Sequence, residues 1–321
     1  MSVKSGSDEA ALEEFRRMTS REGVVACPIF MSLAPYIAAR HKIPRYSFNN
    51  NALRYHYTDA TGLLGILTSS RLWATDIQFL NDPSEGKVFP EALFRLMEEK
   101  QPAPTALERS IINGVREAFS KPRSTAAGFC VSLCGNGDLL SQWRGYGNFG
   151  MGYAVGFEFG LNLPNPQLGF LYDISYGTAH LQELADDLLD IFATTPIKWK
   201  DDLFDQWADI IRFISVSFKD ESFSEENESR IICNYTKSHH LFTDEAPLKF
   251  RARGGDIIPY IPLALNLIKN AGDEPAKLPI KRIVAGPGVD FERNRFSLHR
   301  LLEENGYEGV EVVRSSIPFR N

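Results

Sequence analysis

The chain has 321 residues, of which 43% are hydrophobic, 24% charged and 12% aromatic. This composition is typical of a folded globular protein and excludes a disordered, collagen-like or disulfide-stapled chain. The 35 basic and 41 acidic residues give a net charge of −6, so the chain as a whole lacks the positive surface with which proteins hold duplex nucleic acid, although a local basic groove is compatible with that charge.

The N-terminal residues and the cysteines predict a cytoplasmic protein. Acidic residues stand where a signal peptide needs a basic region and an apolar run, and no stretch offers about 18 uninterrupted apolar residues. The four cysteines show no C-x-x-C spacing. We therefore expect reduced thiols and no association with a membrane.

The first 50 residues differ in character from the rest of the chain. A short amphipathic helix is predicted over Glu9–Arg17, and an asparagine-rich loop ends this region near residue 50. We interpret residues 1–50 as a helical N-terminal extension. Residues 51–321 are predicted to form a single α+β domain.

Strand-forming runs alternate with helical periodicity after residue 51. LRYHYT, a helix that begins after Asp59, and RLWATDI form a strand, helix, strand unit, and a similar unit closes the chain. PLKFRARGGDIIPYIPL predicts a hairpin that turns at Gly254 and Gly255. Together these patterns predict mostly antiparallel strands in two small packed sheets surrounded by helices.

The first predicted strand carries two potential cations on one face. Side chains alternate along a strand, so Arg54 and His56 share a face and the two intervening tyrosines share the other. In one interpretation the tyrosines fill the core and the other two side chains face solvent. In the other, Arg54 and His56 contribute to a binding site.

Two glutamates precede the predicted strand RIICNY. In an extended segment Glu226 and Glu228 would lie roughly 7 Å apart on the same side. Carboxylates beside an anomeric carbon stabilise the positive charge that develops when a glycosidic bond breaks. The alternative is an ordinary solvated charged run, in which Glu228 only pairs with Arg230.

Ser132 and a glycine-flanked block are further candidates. The Ser132 hydroxyl in FCVSLC is either a hydrogen-bonded core group or points into a cleft. The block SQWRGYG places Trp143, Arg144 and Tyr146 among glycines, which favours a binding surface over a plain loop. The guanidinium of Arg144 has a fork geometry suited to a diphosphate.

Other chemistry has weaker support in the sequence. There is no G-x-S-x-G elbow, P-loop or Rossmann fingerprint. His239 and His240 are neighbours near Cys233, a spacing unlike that of zinc sites, so we expect no metal. The NDPSEG segment is mainly a turn, in which Asp82 and Glu85 are candidates for a functional role.

Several segments together resemble the bacterial domain-of-unknown-function family 2971 over roughly residues 50 to 320. The resemblance is carried by YHYTDATGLLGILTSSRLWATD, FLNDPSEG, FCVSLCGNGDLLSQWRGYG, GYAVGFEF, ENESRI, IVAGPG and VRSSIPFR. The order of a first strand with Arg or His, a middle strand with Ser and a late Glu-x-Glu is also similar to that of ADP-ribosyltransferases. The resemblance implies an ADP-ribosyltransferase-like fold.

The same resemblance implies roles for individual residues. Arg54 or His56 would hold the ribose or phosphates of NAD, Ser132 would seat the nicotinamide end, and Glu228 would stabilise the ribosyl cation. The implied function is ADP-ribosyl transfer from NAD, or NAD hydrolysis, in a bacterial toxin or phage-defence setting. The partners would be NAD or a related nucleotide and a macromolecular acceptor, either protein or nucleic acid.

A non-catalytic module of a defence system is the alternative. In it Trp143, Arg144 and Tyr146 would recognise a nucleotide or protein by stacking and cation contacts. A transferase needs Glu228 and the cation of the first strand in one cleft, whereas a binding module does not. In either case we expect this block to border the cleft, with Trp143 partly buried and Arg144 turned towards it.

Overall fold

The computed structural model describes residues 53–80, 88–100, 102–121, 126–159, 170–177, 181–194, 201–236, 248–253, 255–264 and 277–318. The predicted extension over residues 1–50 lies outside these ranges, as do Asp82, Glu85, His239 and His240. By its internal contacts the chain divides into two compact units. We call them the helical unit, which includes residues 80–128 and 174–221, and the sheet unit, which includes residues 46–79, 129–173 and 222–321. The prediction of one domain over residues 51–321 stays a prediction.

The described chain contains both helices and strands along its whole length. The helices are α1 (Ala60–Ser69), α2 (Val88–Glu98), α3 (Ala106–Ser120), α4 (Leu140–Gly145), α5 (Leu181–Thr194), α6 (Asp201–Ser215) and α7 (Phe291–Glu304). The strands are β1 (Arg54–Thr58), β2 (Leu72–Asp76), β3 (Ala126–Leu133), β4 (Tyr153–Phe157), β5 (Phe170–Asp173), β6 (Ser175–Tyr176), β7 (Phe218–Lys219), β8 (Ser229–Thr236), β9 (Lys249–Arg253), β10 (Asp256–Leu263), β11 (Ile280–Ala285) and β12 (Glu311–Arg314). None of the described helices is long and apolar enough to cross a membrane.

The helical unit is held together by amphipathic helices. Helix α3 packs against α6, and α2 packs against α5. Buried residues recur at helical spacing on α3, as at Ile111, Ile112 and Val115. The helix begins with a capping box in which Thr105 and Glu108 bond each other's backbone N–H groups. The short strands β6 and β7, which respectively precede α5 and follow α6 in the sequence, pair in parallel within the same unit.

The sheet unit contains two larger sheets. One has four strands in the order β1-β4-β11-β12, and the other has six in the order β5-β8-β3-β2-β10-β9. Apart from the parallel pair β11 and β12, the strand pairs whose register is described in these two sheets are antiparallel. The prediction of an α+β chain with mainly antiparallel sheets is therefore confirmed.

Two local predictions of topology are also confirmed. The hairpin forms between β9 and β10, with Arg253 opposite Asp256 at its turn. At the C-terminal end, β11, α7 and β12 form a strand, helix, strand unit. Its two strands are parallel because the intervening helix carries the chain back to the same end of the sheet. Asp290 caps this helix by accepting a hydrogen bond from the backbone N–H of Arg293.

The alternation predicted for β1 is present. Tyr55 and Tyr57 are buried, whereas Arg54 and His56 lie on the opposite face and are half-buried. The interpretation that places Arg54 and His56 in open solvent is therefore wrong. Both side chains are partly covered by the fold of the sheet unit.

Two glycines, Gly156 and Gly137, leave room for the Tyr55 ring. Gly156 stands directly opposite Tyr55 on β4, and a Cβ atom at Gly156 would lie 2.7 Å from Tyr55 Cε1. A Cβ atom at Gly137 would collide with the same ring. The ring thus occupies the space that two side chains would otherwise fill, which fixes the position of β1 and of His56 beside it.

We expect Gly156→Ala to lower the free energy of unfolding by about 1–3 kcal/mol, because the added methyl group overpacks the Tyr55 ring. The measurement is urea unfolding followed by circular dichroism. The matched control is Gly255→Ala at the β9–β10 turn, where a Cβ atom would meet nothing within 4 Å. Equal effects of the two substitutions would contradict this account of the ring's position.

Candidate functional site

The site is built where the ends of the two larger sheets meet. The backbones of Tyr55 and Cys134 exchange two hydrogen bonds, of 2.8 and 2.7 Å. Tyr55 lies on β1 of the four-stranded sheet, and Cys134 directly follows β3 of the six-stranded sheet. This bridge brings His56 next to Ser132, and His56 Nδ1 lies 3.0 Å from the Ser132 carbonyl oxygen.

The segment with the two glutamates is joined to the same bridge. The Cys134 thiol donates to the carbonyl oxygen of Glu226 at 2.9 Å, and the Gly135 N–H donates to the carbonyl of Asn227 at 3.0 Å. Glu226 ends a 3₁₀ helix, and Asn227 has a left-handed backbone with φ of 42°. The expectation of an extended segment here is therefore wrong, because the chain turns sharply between the two glutamates.

These contacts enclose a small pocket within the sheet unit. Its volume of about 40 Å³ has room for roughly three water molecules, at 10–15 Å³ for each. Only a small chemical group, or one end of a larger ligand, fits inside. The lining residues are Tyr55, His56, Tyr57, Ser132, Leu133, Cys134, Gln142, Tyr146, Glu226 and Glu228.

The pocket contains several of the residues singled out from the sequence. His56, Ser132 and Glu228, the three predicted catalytic residues, all line it, and so does Tyr146. The described lining does not include Arg54, Trp143 or Arg144. The structure thus brings part of the predicted set together, and the role of each residue in chemistry stays a prediction.

His56 presents one basic nitrogen. Because a carbonyl oxygen only accepts hydrogen bonds, we assign the Nδ1 proton to the contact with Ser132, which leaves a lone pair on Nε2. Burial lowers the pKa of His56, and the nearby Arg251 cation lowers it further, against the opposing effect of the Ser132 carbonyl. The imidazole is therefore neutral at pH 7 and can accept a proton or a hydrogen bond.

Glu228 is held by a buried ion pair. Arg230 donates from Nε to Glu228 Oε1 at 2.6 Å and from Nη2 to Oε2 at 3.0 Å. The side chains of Arg230 and Glu228 are only 2% and 5% exposed. The solvated charged run considered from the sequence is therefore wrong. The predicted pairing with Arg230 exists, but it lies in the interior, where two hydrogen bonds hold the carboxylate in one orientation.

Cys134 is the pocket's thiol, and its environment keeps it protonated. Burial raises its pKa to about 11, and the charges of Glu226 and Glu228 act in the same direction. A hydrogen bond from the Asn136 N–H opposes these effects. Because a thiolate is the reactive form of cysteine, Cys134 serves as a structural hydrogen-bond donor here and not as a nucleophile.

Arg54 connects three strands. Its Nη2 atom lies 3.4 Å from Asp173 Oδ1 at the end of β5, and the same oxygen accepts a hydrogen bond from the Ser229 hydroxyl at the start of β8. The Arg54 guanidinium thus forms an ion pair with the Asp173 carboxylate. Its predicted contact with the phosphates of NAD stays a prediction.

The SQWRGYG block forms α4 and the turn after it. Trp143 is fully buried, with its ring edge-on to Tyr57 at 4.7 Å and its Nε1 donating to Asp138 at 2.8 Å. The expectation of a partly buried Trp143 is therefore wrong, because this indole is a core residue with no face open to a ligand. Arg144 is exposed, whereas Tyr146 reaches the pocket.

Asp138 is a structural centre that sequence reasoning missed. Besides Trp143, its carboxylate accepts hydrogen bonds from the Ser315 hydroxyl at 2.6 Å and from the Ser316 N–H and hydroxyl at 2.7 and 2.8 Å. Burial raises the pKa of Asp138, but these hydrogen bonds outweigh it and hold the pKa below its usual value. In the sequence an Asp among glycines indicates only a turn.

Arg251 on β9 was also missed. Its Nη2 donates to Thr75 Oγ1 at 2.8 Å, and its guanidinium lies 5.5 Å from the Trp73 ring centre and 5.8 Å from that of Tyr260. The available signal was the alternation of cations in KFRAR, which places Lys249, Arg251 and Arg253 on one face of a strand.

No group of three or more metal-ligating side chains is found in the described part of the chain. A nucleotide would be held in the pocket by hydrogen-bond donors and acceptors. The lining residues whose side chains carry such groups include His56, Ser132, Tyr146, Glu226 and Glu228.

Comparison with known proteins gives one match. The family model described as "Protein of unknown function (DUF2971)" matches residues 142–231. This match supports the resemblance to the domain-of-unknown-function family 2971 inferred from the sequence. The matched segment contains Gln142, Tyr146, Glu226 and Glu228 of the pocket lining, whereas the other lining residues precede it. No curated protein and no solved structure matches the chain.

We expect Asp138→Asn to lower the free energy of unfolding at pH 7 by about 1–3 kcal/mol, because it removes charge-assisted hydrogen bonds. The folded pKa lies below the unfolded value of about 3.9, so this stabilisation is present above that value and is lost as pH falls through the folded pKa. Urea unfolding in steps from about pH 7 to about pH 2.5 measures how the difference in unfolding free energy between Asp138→Asn and the parent chain shrinks at acid pH. Asp205→Asn, at an exposed position of α6, is the control. A difference that does not change with pH would contradict the assignment.

We expect Glu228→Gln and Arg230→Met each to lower the free energy of unfolding by about 3–5 kcal/mol, because each removes one half of a buried, doubly hydrogen-bonded ion pair. The double variant Glu228→Leu with Arg230→Met removes both charges and should be more stable than either single variant. Thermal and urea unfolding provide the measurement. If both single variants kept the stability of the parent chain, the ion pair would not be buried in solution.

Proposed function

We propose that this protein cleaves the bond between nicotinamide and ribose in NAD, as an ADP-ribosyltransferase or an NAD glycohydrolase with an ADP-ribosyltransferase-like arrangement of strands. The observation that carries the proposal is the shared pocket. His56, Ser132 and Glu228 are far apart in sequence and belong to separate segments of the sheet unit, yet all three line one cavity. The residue types match the chemistry that this bond cleavage requires.

The carboxylate of Glu228 would stabilise the charge that develops on the ribose. When the bond from C1′ to the nicotinamide nitrogen breaks, the electron pair leaves with nicotinamide, which becomes neutral, and positive charge develops on C1′ and the ring oxygen. A fixed carboxylate in a buried pocket stabilises such a charge more strongly than it would in water. Arg230 holds Glu228 in one orientation, so little reorganisation is needed during the reaction.

His56 would take the proton from the acceptor. The attacking oxygen belongs to water in a glycohydrolase and to a macromolecule, protein or nucleic acid, in a transferase. As this oxygen bonds to C1′, its proton moves to Nε2, the ring nitrogen that carries the lone pair. The lowered pKa of His56 supports this role, because the neutral form is the one that accepts a proton.

The size of the pocket supports partial insertion of NAD. About 40 Å³ is far less than a dinucleotide occupies, so the reacting end would enter while the diphosphate and adenosine remain outside. Ser132 and Tyr146 also line the pocket, and their hydroxyl groups would orient the entering end. The pocket thus favours a ligand that reacts at one end.

One observation favours the alternative of a non-catalytic nucleotide-binding module. Arg230 engages both carboxylate oxygens of Glu228, which reduces the negative charge that a ribosyl cation would meet. A module of this kind would bind NAD without cleaving it. Turnover therefore distinguishes the two functions.

We expect His56→Asn to lower the rate of nicotinamide release from NAD by about 100-fold or more, because general-base catalysis typically contributes 10²–10⁴-fold. The asparagine amide can still donate to the Ser132 carbonyl at the place of Nδ1, whereas the Nε2 lone pair is lost. The measurement is chromatographic separation of nicotinamide from NAD, with the melting temperature recorded for each variant. His299→Asn on the exposed face of α7 is the matched control.

One outcome would overturn the proposal, and two others would overturn the role of His56. If the unmodified chain binds NAD but releases no nicotinamide, with or without added protein or nucleic acid acceptors, the binding-module function replaces it. If His56→Asn retains full activity at unchanged stability, His56 has no part in the reaction. A rate loss in His56→Asn that also appears in His299→Asn would likewise count against the assignment.

A further inference from the structure

The hairpin of β9 and β10 carries a basic face that the pocket does not use. Lys249, Arg251 and Arg253 alternate along β9 and therefore point to one side of the six-stranded sheet. The chain as a whole is acidic, with a net charge of −6, so three cations within five residues form a local positive field. Such a field favours an anionic ligand.

The middle cation of this face is held in a fixed place. The guanidinium of Arg251 stacks over the rings of Trp73 and Tyr260 and donates to the Thr75 hydroxyl. Among the described residues its hydrogen-bond partner is this hydroxyl, and its buried Nε has no acceptor there. The contacts with the two rings and the hydroxyl orient Arg251 before any ligand binds. Because a guanidinium has five N–H donors, Arg251 also retains donors for an anion.

The register of the strands places this cation on the face of the sheet that carries Ser132. Thr75 pairs with Cys130 on β3, and side chains two residues apart share a face, so Thr75, Cys130 and Ser132 lie on one side. Ser132 is one strand and two residues away from Thr75, roughly 8 Å at the usual strand spacings. The guanidinium that reaches Thr75 is therefore a near neighbour of the pocket.

The charges around Arg251 support the same conclusion. Burial lowers its pKa, and the adjacent Arg253 cation lowers it further, whereas Tyr260 and Asp59 act in the opposite direction. Arginine remains protonated at neutral pH in spite of such shifts. Repulsion between two neighbouring cations raises the free energy of the unbound protein, and a bound anion would reduce this repulsion.

We propose that this basic face, with Arg251 at its centre, binds the diphosphate group of a nucleotide whose reacting end enters the pocket. The inference rests on the proposed function for the identity of that nucleotide as NAD. Arg251 contributes a stacked guanidinium fork, which suits the oxygens of a diphosphate. Lys249 and Arg253, both exposed, add charge at the two ends of the strand.

The central test is binding of ADP, AMP and adenosine, measured by isothermal titration calorimetry on the full chain. We expect ADP to bind more tightly than AMP, and adenosine to bind most weakly. Arg251→Gln should weaken ADP binding about 10- to 100-fold, because a charge-assisted hydrogen-bond donor is removed. Arg300→Gln is the matched control, since Arg300 also stacks on an aromatic ring, that of Phe296, but lies on α7.

A second variant tests the inference in case Arg251→Gln does not fold. Lys249→Gln combined with Arg253→Gln changes two exposed side chains and removes one exposed hydrogen bond, from Arg253 Nη2 to the Phe79 carbonyl, so its melting temperature should stay close to that of the parent chain. It should weaken ADP binding and make the affinity less dependent on salt, because two phosphate-directed charges are gone. Unchanged ADP affinity in both the double variant and Arg251→Gln would overturn the inference.

The results separate this inference from the proposed function. If ADP binding depends on Arg251 while NAD is not cleaved, the diphosphate site is supported and the proposed cleavage activity is rejected. If NAD is cleaved and Arg251→Gln leaves the KM for NAD unchanged, the diphosphate site is rejected and the proposed cleavage activity is supported. A raised KM with little change in kcat supports both, because the site would then contribute binding and not chemistry.

Discussion

The bridge between Tyr55 and Cys134 is the interaction on which the site depends. Two backbone hydrogen bonds join the end of one sheet to the end of another, and the side chains on either side of them become neighbours. The same bridge extends through the Cys134 thiol to the carbonyl of Glu226. Because the frame of the pocket is made largely of backbone groups, the imidazole of His56 can be exchanged without dismantling it. Glu228 is the exception, since its carboxylate is also one half of a buried ion pair.

Three charged groups of the sheet unit, Glu228 in the interior and Asp138 and Arg251 partly buried, are compensated in different ways. Glu228 has a guanidinium partner, Asp138 has a set of neutral donors, and Arg251 has two aromatic rings and one hydroxyl. The first two arrangements satisfy the charge with several hydrogen bonds and thereby fix the surrounding segments. The third provides contact with aromatic faces but few acceptors. A cation held in that way retains its capacity to bind an anion, which is why Arg251 differs in kind from the other two.

Local periodicity explains which features the sequence could predict. The alternation along β1 and the β9–β10 hairpin follow from period-two patterns and turn residues, so they are visible within a few residues of chain. The turn between Glu226 and Glu228 depends on contacts with Gly135, far away in sequence, and a pattern of charges alone indicates an extended or solvated run. Trp143 was assigned to a binding surface because it stands among glycines. Its burial follows from Tyr57 and Asp138, which no local pattern connects to it.

The pocket and the basic face impose complementary limits on a ligand. The pocket is small and its lining residues include Glu226, Glu228 and the neutral His56, so it disfavours a phosphate and favours an uncharged or cationic end. The β9 face has the opposite charge and lies outside the pocket on the side that carries Ser132. A ligand that satisfies both surfaces must therefore carry a neutral or positive group at one end and negative charge a short distance behind it. NAD has this distribution of charge, with a cationic nicotinamide ring joined through ribose to a diphosphate, and a free phosphate or a simple sugar does not.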